Sequence, residues 1–276
     1  MVANRTAWLQ GRLIVGGRPL FYRRSVGGDP DGVPIVHVHG FAISGAYLMP
    51  TARLLARHGP NVVPDLPGYG RSPRPDVTMG IPALARTVLE VVDRLGFEKV
   101  VLVGNSMGCP ISLEVAHEAP HRVAGVVLVS PAGGYQNRPL RRALGQLAMD
   151  GIRETPRMMP VAVPDYVRFG PVNALRLFSQ LTRYPSQERL LALPVPALAV
   201  LGARDPLMPP EPRVREIGRR APGHVTVVQI EGAAHAINFS HPGELANVIS
   251  CWLDGREILD DPDQPGHARV LQVPRT

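Results

Sequence analysis

Ser106 stands between two glycines in the pentapeptide Gly-Asn-Ser-Met-Gly, residues 104–108. An apolar, β-branched run precedes the pentapeptide and a helix-like pattern follows it, which predicts a tight turn between a buried strand and a helix. In such a turn a serine projects above the carboxyl edge of the sheet, and the N-terminus of the next helix favours developing negative charge. The pattern therefore predicts that Ser106 is a nucleophile.

Two further residues have the chemistry that an attacking serine needs. His235 follows the last strand-like run and Asp205 follows the preceding one, so both are predicted at the same sheet edge as Ser106. A histidine takes the proton of the attacking hydroxyl, and a buried carboxylate holds that histidine in the required tautomer. Ser106, Asp205 and His235 are thus the predicted catalytic triad.

Acyl transfer also requires hydrogen-bond donors for the oxyanion. The N–H of Met107, directly after the serine, is predicted to be one donor, and the N–H of Phe41 the second. Gly40 lets the backbone of this early loop pass close to the serine. Two neighbours are expected to be structural: His39 braces the loop by hydrogen bonding, and Cys109 packs the first turn of the helix.

Short apolar runs alternate with longer amphipathic ones, which is typical of a parallel sheet covered by helices. An N-terminal hairpin is predicted to turn at Gly16-Gly17. The strand-like runs are residues 34–40, 61–67, 99–105, 122–130, 195–202 and 224–232. The helical patterns occupy residues 43–58, 80–96, 107–119, 209–221 and 241–254.

The interval 134–192 breaks this rhythm, because it holds only helical patches separated by prolines. So long an insert between two strands is typical of a functional lid. We therefore predict a core of residues 1–133 and 193–255, a helical cap at 134–192, and a loosely ordered polar tail at 256–276.

Several mostly apolar residues are expected to surround a substrate pocket. For Ile237 and Asn238 a loop-packing role is an equal alternative. The predicted substrate-binding residues are Phe41, Ile43, Met158, Phe178, Ile237 and Asn238, with Leu48 and Met49 as apolar neighbours.

Composition excludes several classes of protein. The 276 residues are 45% hydrophobic and carry a net charge of +7, but the basic residues form no stripe with interleaved aromatics, so nucleic-acid binding is not predicted. No apolar run is long enough to span a membrane, and the first residues lack the apolar segment of a secretory signal. The two distant cysteines, Cys109 and Cys251, indicate a cytoplasmic protein without a disulfide framework.

At these residues the chain resembles the α/β-hydrolase superfamily. The landmarks occur in order: His39-Gly40, the segment Asp-Leu-Pro-Gly-Tyr-Gly-Arg-Ser at 65–72, the serine turn, the Asp205 loop and the His235 loop. The resemblance covers residues 11–254 and implies an α/β fold with a mostly parallel, eight-stranded type of sheet, flanked by helices and carrying a helical cap. It also implies a structural role for Asp65, a small-molecule substrate, and no metal or organic cofactor.

The resemblance leaves three functions open. A serine at position 106 argues against haloalkane dehalogenases and epoxide hydrolases, which carry aspartate there. The serine turn, with Asn105 directly before Ser106, resembles the turn of enzymes that hydrolyse carbon–carbon bonds in ring-fission products. Phe41-Ala42-Ile43 and Ala236 differ from the residues that those enzymes commonly carry at these positions. Hydrolysis of a small-to-medium hydrophobic ester is therefore the first prediction and carbon–carbon hydrolysis the second. A non-hydrolytic protein that binds or isomerises a ligand on the same scaffold is the third.

Overall fold

The computed structural model describes residues 7–131, 140–259 and 268–273, in which nine strands form one sheet. Their order across the sheet is β1-β2-β4-β3-β5-β6-β7-β8-β9. The strands are β1 (Ala7–Val15), β2 (Arg18–Val26), β3 (Ile35–Val38), β4 (Asn61–Pro64), β5 (Val100–Asn105), β6 (Val123–Val129), β7 (Ala197–Gly202), β8 (Val225–Ile230) and β9 (Ala268–Gln272).

Strands β3 to β8 pair in parallel, whereas β1, β2 and β9 pair antiparallel. All six predicted strand-like runs are confirmed as β3 to β8. The predicted hairpin is also confirmed: Val15 pairs with Arg18, and Gly16 and Gly17 both have positive φ, as a tight two-residue turn requires. Because the central strands are parallel, the loops that follow them meet at one edge of the sheet.

The central strands are apolar because helices cover both of their faces. Along β5, Val100 and Leu102 join the apolar cluster under α2 (Ile81–Arg94) and α3 (Gly108–Glu118), whereas Val101 and Val103 join the cluster under α10 (Pro242–Leu253). This alternation follows from the two-residue period of a strand. Every residue of β5 is buried, so the strand holds its carboxyl end rigidly in place.

Helices cover the sheet at each of the predicted positions. Residues 140–191, within the predicted cap, are also mostly helical, with short breaks at 154–155, 170 and 184–185. The helices are α1 (Met49–Leu55), α2 (Ile81–Arg94), α3 (Gly108–Glu118), α4 (Leu140–Arg153), α5 (Met159–Phe169), α6 (Pro171–Arg183), α7 (Ser186–Leu191), α8 (Glu211–Arg220), α9 (Ile237–Ser240) and α10 (Pro242–Leu253). Within the described ranges, no helix combines the length and the apolar character of a membrane span.

The tail differs from its prediction. Residues 268–272 form β9, which pairs antiparallel with β8 and brings the sheet to nine strands instead of eight. The prediction of a loosely ordered tail is therefore wrong for this segment. Its apolar stretch is short and stands in a polar tail, so the strand signal is weak. In the structure Leu271 packs into the apolar cluster on one face of the sheet, and Ala268 and Val270 pack against the cluster on the other. The predicted boundary at 133–134 and residues 260–267 of the tail lie outside the described residues.

Candidate active site

Ser106 occupies the turn between β5 and α3, as predicted. Its backbone φ is +55°, a left-handed conformation that costs a non-glycine residue about 1 kcal/mol. The Ser106 N–H donates to the carbonyl of Val129 in β6 at 3.0 Å, and the Ser106 carbonyl accepts from the Cys109 N–H at 3.0 Å. These bonds hold the serine in the strained turn, where it lines a cavity.

Gly104 and Gly108 are required because backbone segments pass very close to both. A Cβ on Gly104 would collide with the carbonyl of Gly108, and a Cβ on Gly108 would collide with the carbonyl of Val38 in β3. Neither glycine has a positive φ. Space rather than backbone conformation therefore explains both glycines, and the strain of the turn falls on the serine between them.

His235 and Asp205 lie in the loops after β8 and β7, and both side chains are buried. His235 Nδ1 donates to Asp205 Oδ2 across 2.7 Å, and Asp205 Oδ1 accepts from the Leu207 N–H at 2.8 Å. Burial lowers the pKa of His235, but the charge and hydrogen bond of Asp205 outweigh burial and raise that pKa to about 9. Because Nδ1 is hydrogen-bonded to Asp205, Nε2 is the ring nitrogen of His235 that can exchange a proton with another group.

Ser106 and His235 line the same cavity, which brings all three predicted triad residues to one place. Both residues are described, and no hydrogen bond joins the Ser106 hydroxyl to the His235 ring in this structure. Catalytic hydrogen bonds of this kind are often long before a substrate binds and shorten in the complex.

The two predicted oxyanion donors lie on either side of Ser106. Gly40, next to Phe41, passes so close that a Cβ on it would be 3.2 Å from Ser106 Cβ. Among the described residues, no acceptor pairs with the N–H of Phe41 or with the N–H of Met107. Buried N–H groups are rarely left unpaired, so these two are available to a ligand atom.

A hydrogen-bond network that the sequence did not reveal joins the three loops of the site. The Tyr47 hydroxyl accepts from the Gly40 N–H at 2.8 Å and donates to Asn105 Oδ1 at 2.6 Å. The Asn105 amide in turn donates to the carbonyls of Val129 and His235, at 3.2 and 3.3 Å. One buried tyrosine and one buried asparagine therefore connect the loops of the serine, the histidine and the oxyanion donors.

The structural roles predicted for His39 and Asp65 are confirmed. His39 Nδ1 donates to the Gly40 carbonyl at 2.9 Å, and its Nε2 accepts from the Leu66 N–H at 3.0 Å. Burial lowers the pKa of His39, so the ring stays neutral as these bonds require. Asp65 is fully buried, pairs with Arg23 and accepts two loop N–H groups. Both side chains brace loops and face away from the cavity.

Cys109 is a packed thiol, as predicted. It is fully buried, and its Sγ donates to the carbonyls of Gly104 and Val129 at 3.2 and 3.3 Å. Burial raises the pKa of this thiol well above its ordinary value. The thiolate that a cysteine nucleophile needs is therefore disfavoured at this position.

The cavity beside Ser106 has a volume of about 50 Å³. Four of the predicted substrate-binding residues line it: Phe41, Ile43, Met158 and Phe178. The rings of Phe41 and Phe178 are in contact, with 5.2 Å between their centroids. The loop after β3 and helix α6 therefore form one aromatic wall of the cavity. The lining residues that the sequence did not predict are Tyr47, Asn105, Asp150, Tyr166, Leu181, Leu207 and Ala236.

The structure corrects the prediction for Ile237 and Asn238, neither of which lines the cavity. Ile237 is fully buried in the apolar cluster with α10, and the Asn238 carbonyl accepts from the Thr51 hydroxyl at 2.9 Å. Because α9 begins at Ile237, the chain turns away from the cavity directly after His235. Leu48 and Met49 do not line the cavity either, but they belong to the same apolar cluster as the lining residues Ile43, Tyr47 and Ala236.

Two acidic residues approach the His235 loop from α4 and its C-terminal end. The Glu154 carboxylate accepts from the Ala236 N–H, and the backbone of His235 interacts with the Asp150 carboxyl. Burial raises the pKa of Asp150 to about 7 and also raises the pKa of Glu154. Neither residue stands out in the sequence, since a lone acid in a helical segment is ordinarily a solvated side chain.

The described part of the chain holds no cluster of three or more His, Cys, Asp or Glu side chains arranged to bind a metal ion. The sequence profile of the alpha/beta hydrolase family matches residues 35–248. The chain belongs to the alpha/beta hydrolase family. The fold and the order of the site loops agree with this membership, and named hydrolases are among the relatives of the chain.

Two curated relatives from Pseudomonas putida illustrate the range of the family. A stretch of 119 residues, 43% of this chain, is 39% identical to the dihydrolipoyllysine-residue acetyltransferase component of the acetoin cleaving system and covers 32% of it. A stretch of 130 residues is 32% identical to 2-hydroxy-6-oxo-2,4-heptadienoate hydrolase and covers 45% of each protein. The chain thus matches less than half the length of either relative.

Among solved structures, a thermophilic esterase from Thermogutta terrifontis with malate bound superimposes with a TM-score of 0.72. The superposition covers 90% of this chain and 98% of the esterase, at 22% identity. At this identity the similarity establishes a shared fold only.

Proposed function

We propose that this protein is a serine hydrolase that cleaves small-to-medium hydrophobic esters through an acyl-enzyme on Ser106. The observation that carries the proposal is the 2.7 Å hydrogen bond from His235 to Asp205, beside a cavity that Ser106 also lines. A buried Asp–His pair next to a serine in a strained turn is the arrangement that activates a hydroxyl for acyl transfer.

In the proposed reaction, Ser106 Oγ attacks the ester carbonyl carbon while His235 Nε2 takes the hydroxyl proton. Asp205 stabilises the imidazolium that forms, and the unpaired N–H groups of Phe41 and Met107 bind the oxyanion. The tetrahedral intermediate then collapses, and His235 gives its proton to the leaving alcohol. Water attacks the acyl-enzyme by the same route, which releases the acid and restores the Ser106 hydroxyl.

We also propose that helices α4 to α7 act as a cap over the site. Met158, Tyr166 and Phe178 of this segment line the cavity. The Asp165 carboxylate of α5 accepts from the Ser44 N–H at 2.8 Å, which ties the segment to the loop of the oxyanion donors. The mostly apolar lining supports a hydrophobic substrate.

The partner we propose is a small molecule in the cytoplasm rather than a nucleic acid. Several arginines are engaged with carboxylates instead of forming a free basic face, among them Arg122 with Asp93 at 2.7 Å. Both cysteines are buried free thiols, which is compatible with a reducing compartment.

Carbon–carbon hydrolysis is the second candidate, favoured by the similarity to the heptadienoate hydrolase and by Asn105 before the serine. A heptadienoate is an anion, whereas no lysine or arginine is among the described residues that line this cavity. Ester hydrolysis stays first because a neutral ester needs no such cation.

The test is hydrolysis of p-nitrophenyl esters of graded acyl length by the wild type, Ser106→Ala and the control Cys109→Ala. Turnover in Ser106→Ala should fall by up to ~10⁶. Cys109→Ala should stay active, because the buried thiol takes no part in the reaction. Near wild-type turnover in Ser106→Ala overturns the proposal.

A fluorophosphonate probe separates the hydrolase from a non-hydrolytic protein. A hydrolase with an activated serine should be labelled in the wild type and not in Ser106→Ala. If the wild type neither hydrolyses the esters nor takes the label, a ligand-binding or isomerising role on this fold is favoured instead.

A further inference from the structure

Asp150 is an acidic residue inside a mostly apolar cavity. It projects from α4, is only 7% exposed, and lines the cavity together with Ser106 and His235. Its Oδ1 has no hydrogen-bond partner among the described residues. A buried carboxyl oxygen without a donor is costly, so such a group in a cavity indicates a ligand that supplies the donor.

The charges around Asp150 indicate what kind of donor fits. Glu154 and Asp205 are the other acids that act on it, and no lysine or arginine is among the described lining residues. His235 is the one described lining group that can carry positive charge, and its partner is already Asp205. Acidic groups therefore outnumber basic ones around Asp150, which favours a cation over an anion beside this carboxyl.

We propose that Asp150 is a specificity-determining residue that binds a protonated amine on the substrate. The inference rests on the proposed ester hydrolysis and narrows its substrate class to esters with an ammonium group a few carbons from the reacting carbonyl. The ammonium donates a charge-assisted hydrogen bond to Asp150 while Phe41 and Phe178 enclose the connecting chain. Burial holds the pKa of Asp150 near 7 in the free protein, and a bound ammonium favours its ionised form.

The test compares p-nitrophenyl esters of heptanoic acid, ε-aminocaproic acid and adipic acid, which have similar chain lengths and end in a methyl, an ammonium and a carboxylate group. The measured quantity is the ratio of kcat/KM for the ammonium ester to that for the heptanoate ester. In Asp150→Asn this ratio should fall about tenfold, because one charged hydrogen bond is lost. The control Asp31→Asn, which removes an exposed charge, should leave the ratio unchanged.

The proposal is overturned if the ratio is the same in Asp150→Asn as in the wild type, or if the wild type prefers the adipate ester. If the wild type cleaves none of the esters, the proposed hydrolysis has failed, and calorimetry then tests the recognition by itself. Hexylammonium should bind the wild type more tightly than hexanol does, and Asp150→Asn should lose that preference. Equal binding of hexylammonium by both proteins contradicts the role of Asp150.

Discussion

The Tyr47 hydroxyl donates a 2.6 Å hydrogen bond to Asn105 Oδ1, the side chain directly before Ser106 in the chain. The same hydroxyl accepts from the Gly40 N–H, one residue before Phe41. One oxygen atom thus joins the loop of Ser106 to the loop of Phe41. Tyr47 touches neither Ser106 nor its base through a hydrogen bond, so its role is to position the residues that react.

Replacing Tyr47 with phenylalanine should damage both the fold and the reaction. The change leaves the Gly40 N–H and Asn105 Oδ1 without their partner, which should lower the free energy of unfolding by about 1–3 kcal/mol. The two loops are then no longer held in their relative positions, and kcat should fall about ten- to a hundredfold. Urea unfolding and ester kinetics measure the two effects. In Tyr22→Phe, which removes a hydroxyl that bonds to no described residue, both quantities should stay near wild type.

The activity should depend on pH through His235. Only the neutral imidazole takes a proton, and Asp205 raises the pKa of the ring to about 9, so the inactive imidazolium persists to that pH. The kcat/KM for esters should therefore rise with pH to a midpoint near 9. Asp205→Asn removes the largest influence that raises this pKa and leaves burial with the smaller effects of Asp150 and Glu154. The midpoint should therefore move down, and the rate should fall about 10⁴-fold. A wild-type midpoint at or below the ordinary value of 6.5 would contradict this account.

Glu154 is predicted to hold the His235 loop through the Ala236 N–H. Glu154→Ala removes the acceptor, and kcat should fall about tenfold or more as the histidine loses its position. Glu154→Gln keeps an acceptor oxygen and should restore kcat. Because the charge of Glu154 also raises the pKa of His235, the glutamine variant should still show a lower pH midpoint than the wild type. Equal kcat in the alanine and glutamine variants would argue against the loop bond.

The space around the serine turn can be tested through stability alone. Gly108→Ala pushes a methyl group against the Val38 carbonyl, so the free energy of unfolding should fall by about 1–3 kcal/mol. Gly145→Ala is the matched control, because that exposed position in α4 has nothing within contact distance. It should gain about 0.5–1 kcal/mol from helix propensity. Equal destabilisation by the two variants in urea would contradict the packing argument.

The fold was predictable where burial dictates residue type. Strands β3 to β8 are covered on both faces, so their sequences are apolar and stand out from the amphipathic helices between them. The edge strand β9 escaped prediction because its apolar run is only Val270 and Leu271 within a polar tail, too short to stand out, although it pairs with β8 and packs on the core.

The site was predictable where chemistry restricts the residue to one or two types. Ser106, Asp205 and His235 follow β5, β7 and β8 of the parallel sheet, and the carboxyl ends of these strands lie at one edge whatever the intervening sequence is. The position of Asp150 in the cavity wall depends instead on how α4 packs on the core. The residue pattern within α4 does not encode that packing. Ile237 shows the converse: proximity to His235 in sequence suggested the cavity, but the start of α9 directs the side chain into the core.

The left-handed backbone of Ser106 also bears on how this protein can evolve. Ala42 and Ser130, the other described non-glycine residues with positive φ, also follow strands at the carboxyl edge of the sheet, so backbone strain is concentrated around the cavity. A glycine at position 106 would relieve about 1 kcal/mol of strain and abolish the nucleophile in one step. Selection for stability alone would therefore favour glycine at this position.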